Sequence, residues 1–366
     1  MEFRILVLPG DGIGPEVVQQ GVRVLEKVGS RFGHSFQLSY DDVGGAAIDK
    51  YGVALRESTM EAAGGFDAVL FGAVGGPKWD DPQAKVRPEE GILGIRKGLS
   101  VFANLRPVKV LPDMVDASVV KPSVLKDVDM LVVRELTGGL YYAKPKGRRQ
   151  TRRGWTSVDT MRYSQVEIER VLRVGFELAR RRRGKLTSVD KANVLETSRL
   201  WRQTATDLAS QYADVELEHM LVDTCAMQLV QRPSRFDVVV TENTFGDILT
   251  DEAGILAASM GLLPSASLAS VPTEGGRAIG LYEPIHGSAP DIAGQGIANP
   301  IATIFSTALL MRYSLGLVEE AAVVERAVEE VLGEGYRTAD IAEASAGRVI
   351  KRVSTEEMGD QVLSAL

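Results

Sequence analysis

Short apolar runs recur along the chain, each ending in polar or glycine-rich residues. They are Ile5–Leu8 before Pro9-Gly10, Ala68–Phe71, Leu131–Arg134, Thr187–Asp190 and Asp237–Thr241. Four or five such residues without polar alternation suit strands covered on both faces of a parallel sheet. Segments of helical period lie between them. Pro15 opens one at a position that tolerates proline, with Val17, Val18, Val22, Val24, Leu25 and Val28 as its apolar set. Another runs from Gln165 to Arg183, with Ile168, Val171, Leu172, Leu178 and Ala179 on one side. Strands alternating with helices predict an α/β fold with a largely parallel sheet.

The 366 residues are long enough for two domains, each with its own core. A net charge of -7 argues against nucleic acid as the main partner. It does not exclude a small anionic substrate, because local arginines can override a global charge. One cysteine, Cys225, excludes a disulfide framework and a cysteine-rich zinc site. It reads as a small core residue, and low cysteine use suits a reducing cytoplasm. The opening Met1–Leu8 lacks the pattern of a signal peptide. The charge-free stretches 253–273 and 292–311 are broken by Gly, Pro, Ser or Asn, so no membrane span is expected. Residues 144–153 carry six basic side chains beside Gly147 and Gly154, which predicts an exposed hairpin. RNA contact is its functional alternative; a solvated loop is the commoner one. Arg180–Arg183 close a helix, where cations complement the dipole.

The chemistry concentrates in a few motifs. In Asn243–Glu252, Asp247 and Asp251 stand four residues apart, so on a helix they share one face. Two like charges that close suit a hard divalent cation, Mg2+ or Mn2+, although a solvated acidic face is the ordinary alternative. The preceding strand would put the pair at a carboxyl end, where open α/β sheets bind ligands. Pro9-Gly-Asp-Gly-Ile-Gly-Pro-Glu16 follows a strand and opens a helix, but Pro15 stands where a dinucleotide fingerprint needs its third glycine. A Rossmann domain is therefore rejected. Arg96, Arg106 and Arg134 each have a local context unlike a charged surface run, and arginine forks match carboxylates. Lys191, just beyond a strand, could serve as a base if buried, and Tyr141 as a proton donor. Asp223 precedes an apolar run and is either a third acidic ligand or a helix N-cap. Glu283–Ala293, followed by Gly296–Pro300, is a Gly/Pro-rich loop in which His286, Asp291 and Asn299 suit a nucleoside pocket.

In order and spacing, these blocks closely resemble the isocitrate/isopropylmalate family of metal-dependent β-decarboxylating dehydrogenases, nearly end to end. The resemblance implies that family's two-domain fold rather than a Rossmann fold. Residues 1–101 plus 258–366 would form a discontinuous, cofactor-binding domain. Residues 102–257 would form the other, pairing subunits into a homodimer through an arm near 137–162. The active site would lie between domains, with Lys191 and Asp223 supplied by the neighbouring subunit. Asp247, Asp251 and Asp223 would hold Mg2+ or Mn2+, Lys191 would remove a proton, and Tyr141 would return one to carbon. Arg96, Arg106 and Arg134 would hold the carboxylates of a diacid substrate, with Asp223 beside them.

By the same resemblance, substrate choice turns on Ile92, with Glu89, Leu93 and Val194 nearby. An apolar Ile92 implies 3-isopropylmalate, and hence leucine biosynthesis; 3-methylmalate, tartrate or malate, and isocitrate are the alternatives. Residues His286, Gly287, Ser288, Ala289, Asp291, Ile292 and Asn299 would bind the cofactor. Asp291 would accept the ribose 2'-hydroxyl, which selects NAD. A non-catalytic regulatory subunit of this fold is a further alternative, although Tyr141, Lys191 and all three acids are present. The expected setting is the cytoplasm, without membrane or nucleic-acid partners.

Overall fold

The computed structural model describes residues 1–81, 84–273, 277–342 and 349–366. In the first third, strands β1 (Glu2–Gly10), β2 (Ser35–Tyr40), β3 (Ala68–Ala73) and β4 (Ala103–Lys109) alternate with helices α1 (Gly14–Phe32), α2 (Gly45–Tyr51), α3 (Glu57–Ala63) and α4 (Glu89–Gly98). The middle third holds a short α5 (Pro122–Leu125), β5 (Asp129–Glu135), the hairpin β6 (Gly147–Thr151) and β7 (Gly154–Val158), α6 (Gln165–Arg180) and β8 (Lys185–Asp190). After them come α7 (Glu196–Ala209), β9 (Glu216–Leu221), α8 (Val222–Gln231), β10 (Val238–Thr241) and α9 (Asn243–Gly254). The last third contributes β11 (Pro264–Leu268), β12 (Gly280–Pro284), α10 (Ile301–Tyr313), α11 (Val318–Gly333) and α12 (Thr355–Ala365).

Ten strands make one continuous sheet in the order β2-β1-β3-β12-β11-β4-β5-β10-β8-β9. The first four are mutually parallel, and so are the last four. The centre is different: β11 runs antiparallel to β12 and β4, and β4 antiparallel to β5. The largely parallel sheet predicted from the apolar runs is therefore correct, with two parallel wings of opposite direction meeting at an antiparallel seam. The runs in β3, β10 and β8 are buried almost throughout, as strands covered on both faces must be.

Val17, Val18, Val22, Val24, Leu25 and Val28 of α1 are all 0–1% exposed. Each such side chain contributes about 1.5–3 kcal/mol by leaving water. The helix stops because Gly33 takes a left-handed φ of 72°. Cys225 is fully buried, and burial pushes its thiol up to about 12.

Two sequence expectations need correction. The helix expected over Gln165–Arg183 ends at Arg180. Arg180 and Arg181 are its last residue and C-cap, as expected, whereas Arg182 and Arg183 turn to carboxylates: Arg182 lies 2.8 Å from both Asp129 and Asp237. The Arg183 amide also donates to Asp237 at 2.8 Å. Asp223 is not an N-cap, since Leu221 holds that position and Asp223 is the second residue of α8. The 144–153 segment is an exposed hairpin, with every residue of β6 and β7 accessible. Among the described residues, no helix is long and apolar enough to cross a membrane.

Candidate active site

The antiparallel seam collects polar side chains on one face of an otherwise apolar sheet. Asn104 of β4 pairs with Arg134 of β5 and with Ser267 of β11, while Ser265 of β11 pairs with Glu283 of β12. Arg106 is two residues beyond Asn104, so side-chain alternation puts all six on the same face. Asn104 donates to Ser265 and Ser267 at 3.3 and 3.0 Å, and accepts from Arg106 Nε at 2.8 Å. A polar ladder thus holds Arg106 in place, although the residue is only 8% exposed.

Helix α9 begins two residues after β10 and lies over this face. Gly246 allows the approach, because a Cβ there would stand 2.6 Å from Arg134 Cγ. Asp247 and Asp251 lie on α9, where the four-residue spacing gives them one face, and in this chain both carboxylates meet the arginines. Asp247 Oδ1 lies 2.5 Å from Arg134 Nη1 and 3.7 Å from Arg106 Nη2. Asp251 lies 3.5 Å from Arg106 Nη1. Burial lowers the Arg106 guanidinium to about 10, aided by the neighbouring Arg134 charge. Burial also lowers Arg134 and raises Asp251. These shifts mark a charged cluster held out of water, as functional sites often are.

Arg96 reaches the same cluster from α4. Its guanidinium lies 2.6 Å from Glu283 Oε1. Burial works against the Arg96 cation, but the Glu283 charge and hydrogen bond outweigh it and raise the group above its ordinary value. Tyr141 ends a short turn after β5 and donates its hydroxyl to Asp247 Oδ2 at 2.8 Å. Burial and that hydrogen bond push the phenol up to about 12.

Asn243, the first residue of α9, ties these parts together. Its Oδ1 accepts from Arg134 Nε and Nη2 at 3.0 and 2.7 Å. Its Nδ2 donates to the carbonyls of Leu136 and Gly138 at 3.2 and 3.1 Å, and its amide donates to Tyr163 Oη at 3.1 Å. Neither Asn243 nor Glu283 was assigned a role from sequence. The available signal was weak: a polar residue at a helix start and an acid at a strand end.

Lys191 sits in the turn after β8, and its ammonium lies 2.5 Å from Asp223. That hydrogen bond, more than any other factor, lowers the Asp223 carboxyl. Among the described residues no hydrogen bond or ion pair joins this pair to the arginine cluster, and no three acidic or metal-ligating groups are placed to hold a metal ion. Of the four residues expected to read the substrate's side chain, Ile92 is 8% exposed within an apolar cluster that includes Val43, Phe71 and Leu99. Leu93 is half-buried, and Glu89 and Val194 are exposed. A cavity of about 240 Å³ lined by Lys109, Leu111, Phe305 and Leu309 contains none of these groups.

The loop expected to bind a cofactor leaves β12 and is braced by the Pro9–Glu16 segment. Ile13 donates its amide to the Ser288 carbonyl at 2.9 Å. Gly12 has a φ of +58°, and a Cβ there would lie 2.0 Å from the same oxygen. That contact accounts for a glycine-rich loop that is not a dinucleotide fingerprint. His286 Nδ1 sits 2.9 Å from the Gly287 carbonyl, its buried Nε2 has no partner, and burial lowers its pKa. Ser288 is 7% exposed, Ala289 and Ile292 are half-buried, and Gly287 and Asp291 are exposed. Asn299 accepts from the Ile301 amide at 3.0 Å and donates to Asp340 at 3.1 Å.

Two buried arginines and a third nearly so, a helix-borne acid pair and a tyrosine on one face of a switch-back sheet define an α/β enzyme built for a small polycarboxylate, outside the Rossmann class. The sequence model of the family described as isocitrate/isopropylmalate dehydrogenase matches residues 4–362. The chain belongs to that family. It is 55% identical over 363 residues to 3-isopropylmalate dehydrogenase of Dehalococcoides mccartyi, covering 99% of this chain and 98% of that one. It is 56% identical over 366 residues to 3-isopropylmalate dehydrogenase of Anaeromyxobacter dehalogenans, covering all of both. Among solved structures, isocitrate dehydrogenase from Methylococcus capsulatus matches with a TM-score of 0.84 at 32% identity, over 99% of each chain. A β-decarboxylating dehydrogenase from Thermococcus kodakarensis matches with a TM-score of 0.76 at 33% identity, over 99% of this chain and 96% of that one.

Proposed function

We propose that the protein oxidatively decarboxylates (2R,3S)-3-isopropylmalate to 4-methyl-2-oxopentanoate and CO2, using NAD+ and a divalent cation, as a step of leucine biosynthesis in the cytoplasm. The carrying observation is the convergence of Arg96, Arg106 and Arg134 with Asp247 and Tyr141. Full-length relatives named for this activity support the choice of substrate.

The cation's ligands would be Asp247 and Asp251, completed by Asp223 of a second subunit. Two hard oxygens one helical turn apart, with side chains 33% and 60% exposed, fit Mg2+ or Mn2+. The 286–299 loop would take the nucleoside, and its orphaned His286 Nε2 fits a ligand partner. When bound, the cation supplies Lewis acidity at the substrate's C2 oxygen and NAD+ supplies the hydride acceptor.

The chain's own groups then act in sequence. Arg96, Arg106 and Arg134 hold the two carboxylates and orient C2. Lys191 removes the hydroxyl proton as C2 loses hydride. The resulting β-keto acid releases its β-carboxylate as CO2, leaving the bonding electrons on C3 as an enolate. Tyr141 donates its proton to C3. A tyrosine hydroxyl is protonated at neutral pH, as a donor must be.

That Asp223 does not join Asp247 and Asp251 in a metal-capable group within one chain supports a site shared across a homodimer. The division into lobes at 1–101 plus 258–366 and 102–257 belongs to the same proposal. It is supported by the sheet order, whose first five strands come from the former segments and last five from the latter. A panel of 3-isopropylmalate, 3-methylmalate, tartrate, malate and isocitrate, followed by NADH absorbance, tests the substrate. Turnover of isocitrate or tartrate in preference to 3-isopropylmalate would contradict it. Mixed dimers of Lys191→Met and Tyr141→Phe test the sharing, because one of their two sites would then be intact and activity should return.

A further inference from the structure

Among the described residues, two buried polar atoms beside the arginine cluster have no hydrogen-bond partner. They are Tyr142 Oη and Arg96 Nε. Arg96 has its Nη2 on Glu283, which leaves Nε unused. The charges that act on the Tyr142 hydroxyl are, in order of influence, those of Arg96, Glu135, Arg134 and Glu283. Glu135 is already committed. Its Oε1 accepts from the Thr137 amide and hydroxyl and from Arg170, and its Oε2 accepts from the Gly138 amide. Glu283 in turn has its Oε1 on Arg96. The phenol therefore stands between two cations and two carboxylates, with no hydrogen-bond acceptor in reach among the described residues. A buried polar group left unpaired is costly, and a native site that keeps one calls for a partner.

The backbone that places Tyr142 is the same turn that places Tyr141. The Tyr142 and Ala143 amides both donate to the Gly139 carbonyl, at 3.4 and 3.0 Å, and Asn243 holds the neighbouring Gly138 carbonyl. The two adjacent hydroxyls then divide. Tyr141 turns to Asp247, while Tyr142 stays buried beside the arginines.

We propose that the Tyr142 hydroxyl is a further substrate-binding group, which donates a hydrogen bond to a carboxylate of the diacid alongside Arg96. This rests on the dicarboxylate reading above. A carboxylate arriving between the arginines is the acceptor that both orphaned donors lack. Burial raises the phenol's pKa, so it arrives at the substrate as a donor.

The test is Tyr142→Phe, which removes one oxygen and keeps the ring, assayed with 3-isopropylmalate, Mg2+ and NAD+. A hydrogen bond to a charged group predicts a KM for the diacid about 10- to 100-fold higher. The KM for NAD+ should be unchanged and kcat altered by less than about threefold. Calorimetric binding of the diacid without NAD+ should weaken by the same factor as KM. The melting temperature should hold or rise, because no protein hydrogen bond is lost. An unchanged diacid KM would overturn the proposal, and so would a fall in melting temperature with a parallel fall in kcat, which marks a structural hydroxyl. If the wild-type protein ignored 3-isopropylmalate, the substrate reading would fail instead, and the same comparison would be run with the diacid that the panel selects.

Discussion

Tyr141 Oη donates to Asp247 Oδ2 at 2.8 Å, so the phenol and the first acid of α9 are held as one unit. The same carboxylate is ion-paired to Arg134 through its other oxygen. One carboxylate thus fixes the position of a phenol and of a guanidinium.

Removing the phenol oxygen should expose the proton-transfer step. Tyr141→Phe is expected to lower kcat by about 10²- to 10⁴-fold, the usual range for general acid catalysis, with a much smaller change in KM. Steady-state NADH formation measures both. Retention of more than about a third of kcat would remove Tyr141 from the mechanism.

Asn243 makes two separable sets of bonds, and two substitutions distinguish them. Asn243→Leu leaves Arg134 and two buried carbonyls unpaired, which should cost about 2–4 kcal/mol in urea unfolding and raise the diacid KM. Asn243→Asp keeps an acceptor for Arg134 but loses the donors to Leu136 and Gly138. It should spare KM while kcat falls by about tenfold or more, since the Tyr141 turn is displaced. Equal effects of Asp on KM and kcat would contradict this division.

Glu283 is the counter-ion of a nearly buried arginine. Glu283→Gln should cost about 3 kcal/mol, because it leaves the Arg96 cation uncompensated. Saturating diacid should recover part of that loss, giving a larger ligand-induced rise in melting temperature than in the wild type. Equal rises in both proteins would argue against Arg96 as a carboxylate ligand.

Glu135 provides a pH signature for the turn. It is fully buried, and burial raises its carboxyl above the ordinary 4.5 despite the amides it accepts from. A raised folded pKa means that the native state binds the proton more tightly than the unfolded state does. Stability from this group is therefore full below 4.5 and lost as pH rises through the higher folded value. Relative to Glu135→Gln, the wild type should gain stability as pH is lowered from 7 towards 4.5. Denaturant titrations at several pH values read the difference; a flat or opposite trend would refute the assignment.

Much of this was readable in the chain. The apolar runs gave away the buried strands, and the spacing of Asp247 and Asp251 gave their common helical face, because both depend on neighbours in sequence. Pro15 was enough to reject a dinucleotide fingerprint. The antiparallel seam was not legible, since β11 meets β4 across some 160 residues. Its register is what brings Asn104, Ser265 and Glu283 to the arginines. The end of α6 was missed for a related reason: Arg182 and Arg183 look like a helix terminus until Asp129 and Asp237 are placed beside them. The contact of Gly12 with Ser288 joins two motifs that sequence order keeps far apart.

The most direct test of the account is the stoichiometry of one reaction. Purified protein given (2R,3S)-3-isopropylmalate, NAD+ and Mg2+ should form one NADH and one CO2 per diacid consumed, and chelation of the cation should stop both. NADH without CO2, CO2 without NADH, or turnover that survives chelation would contradict it.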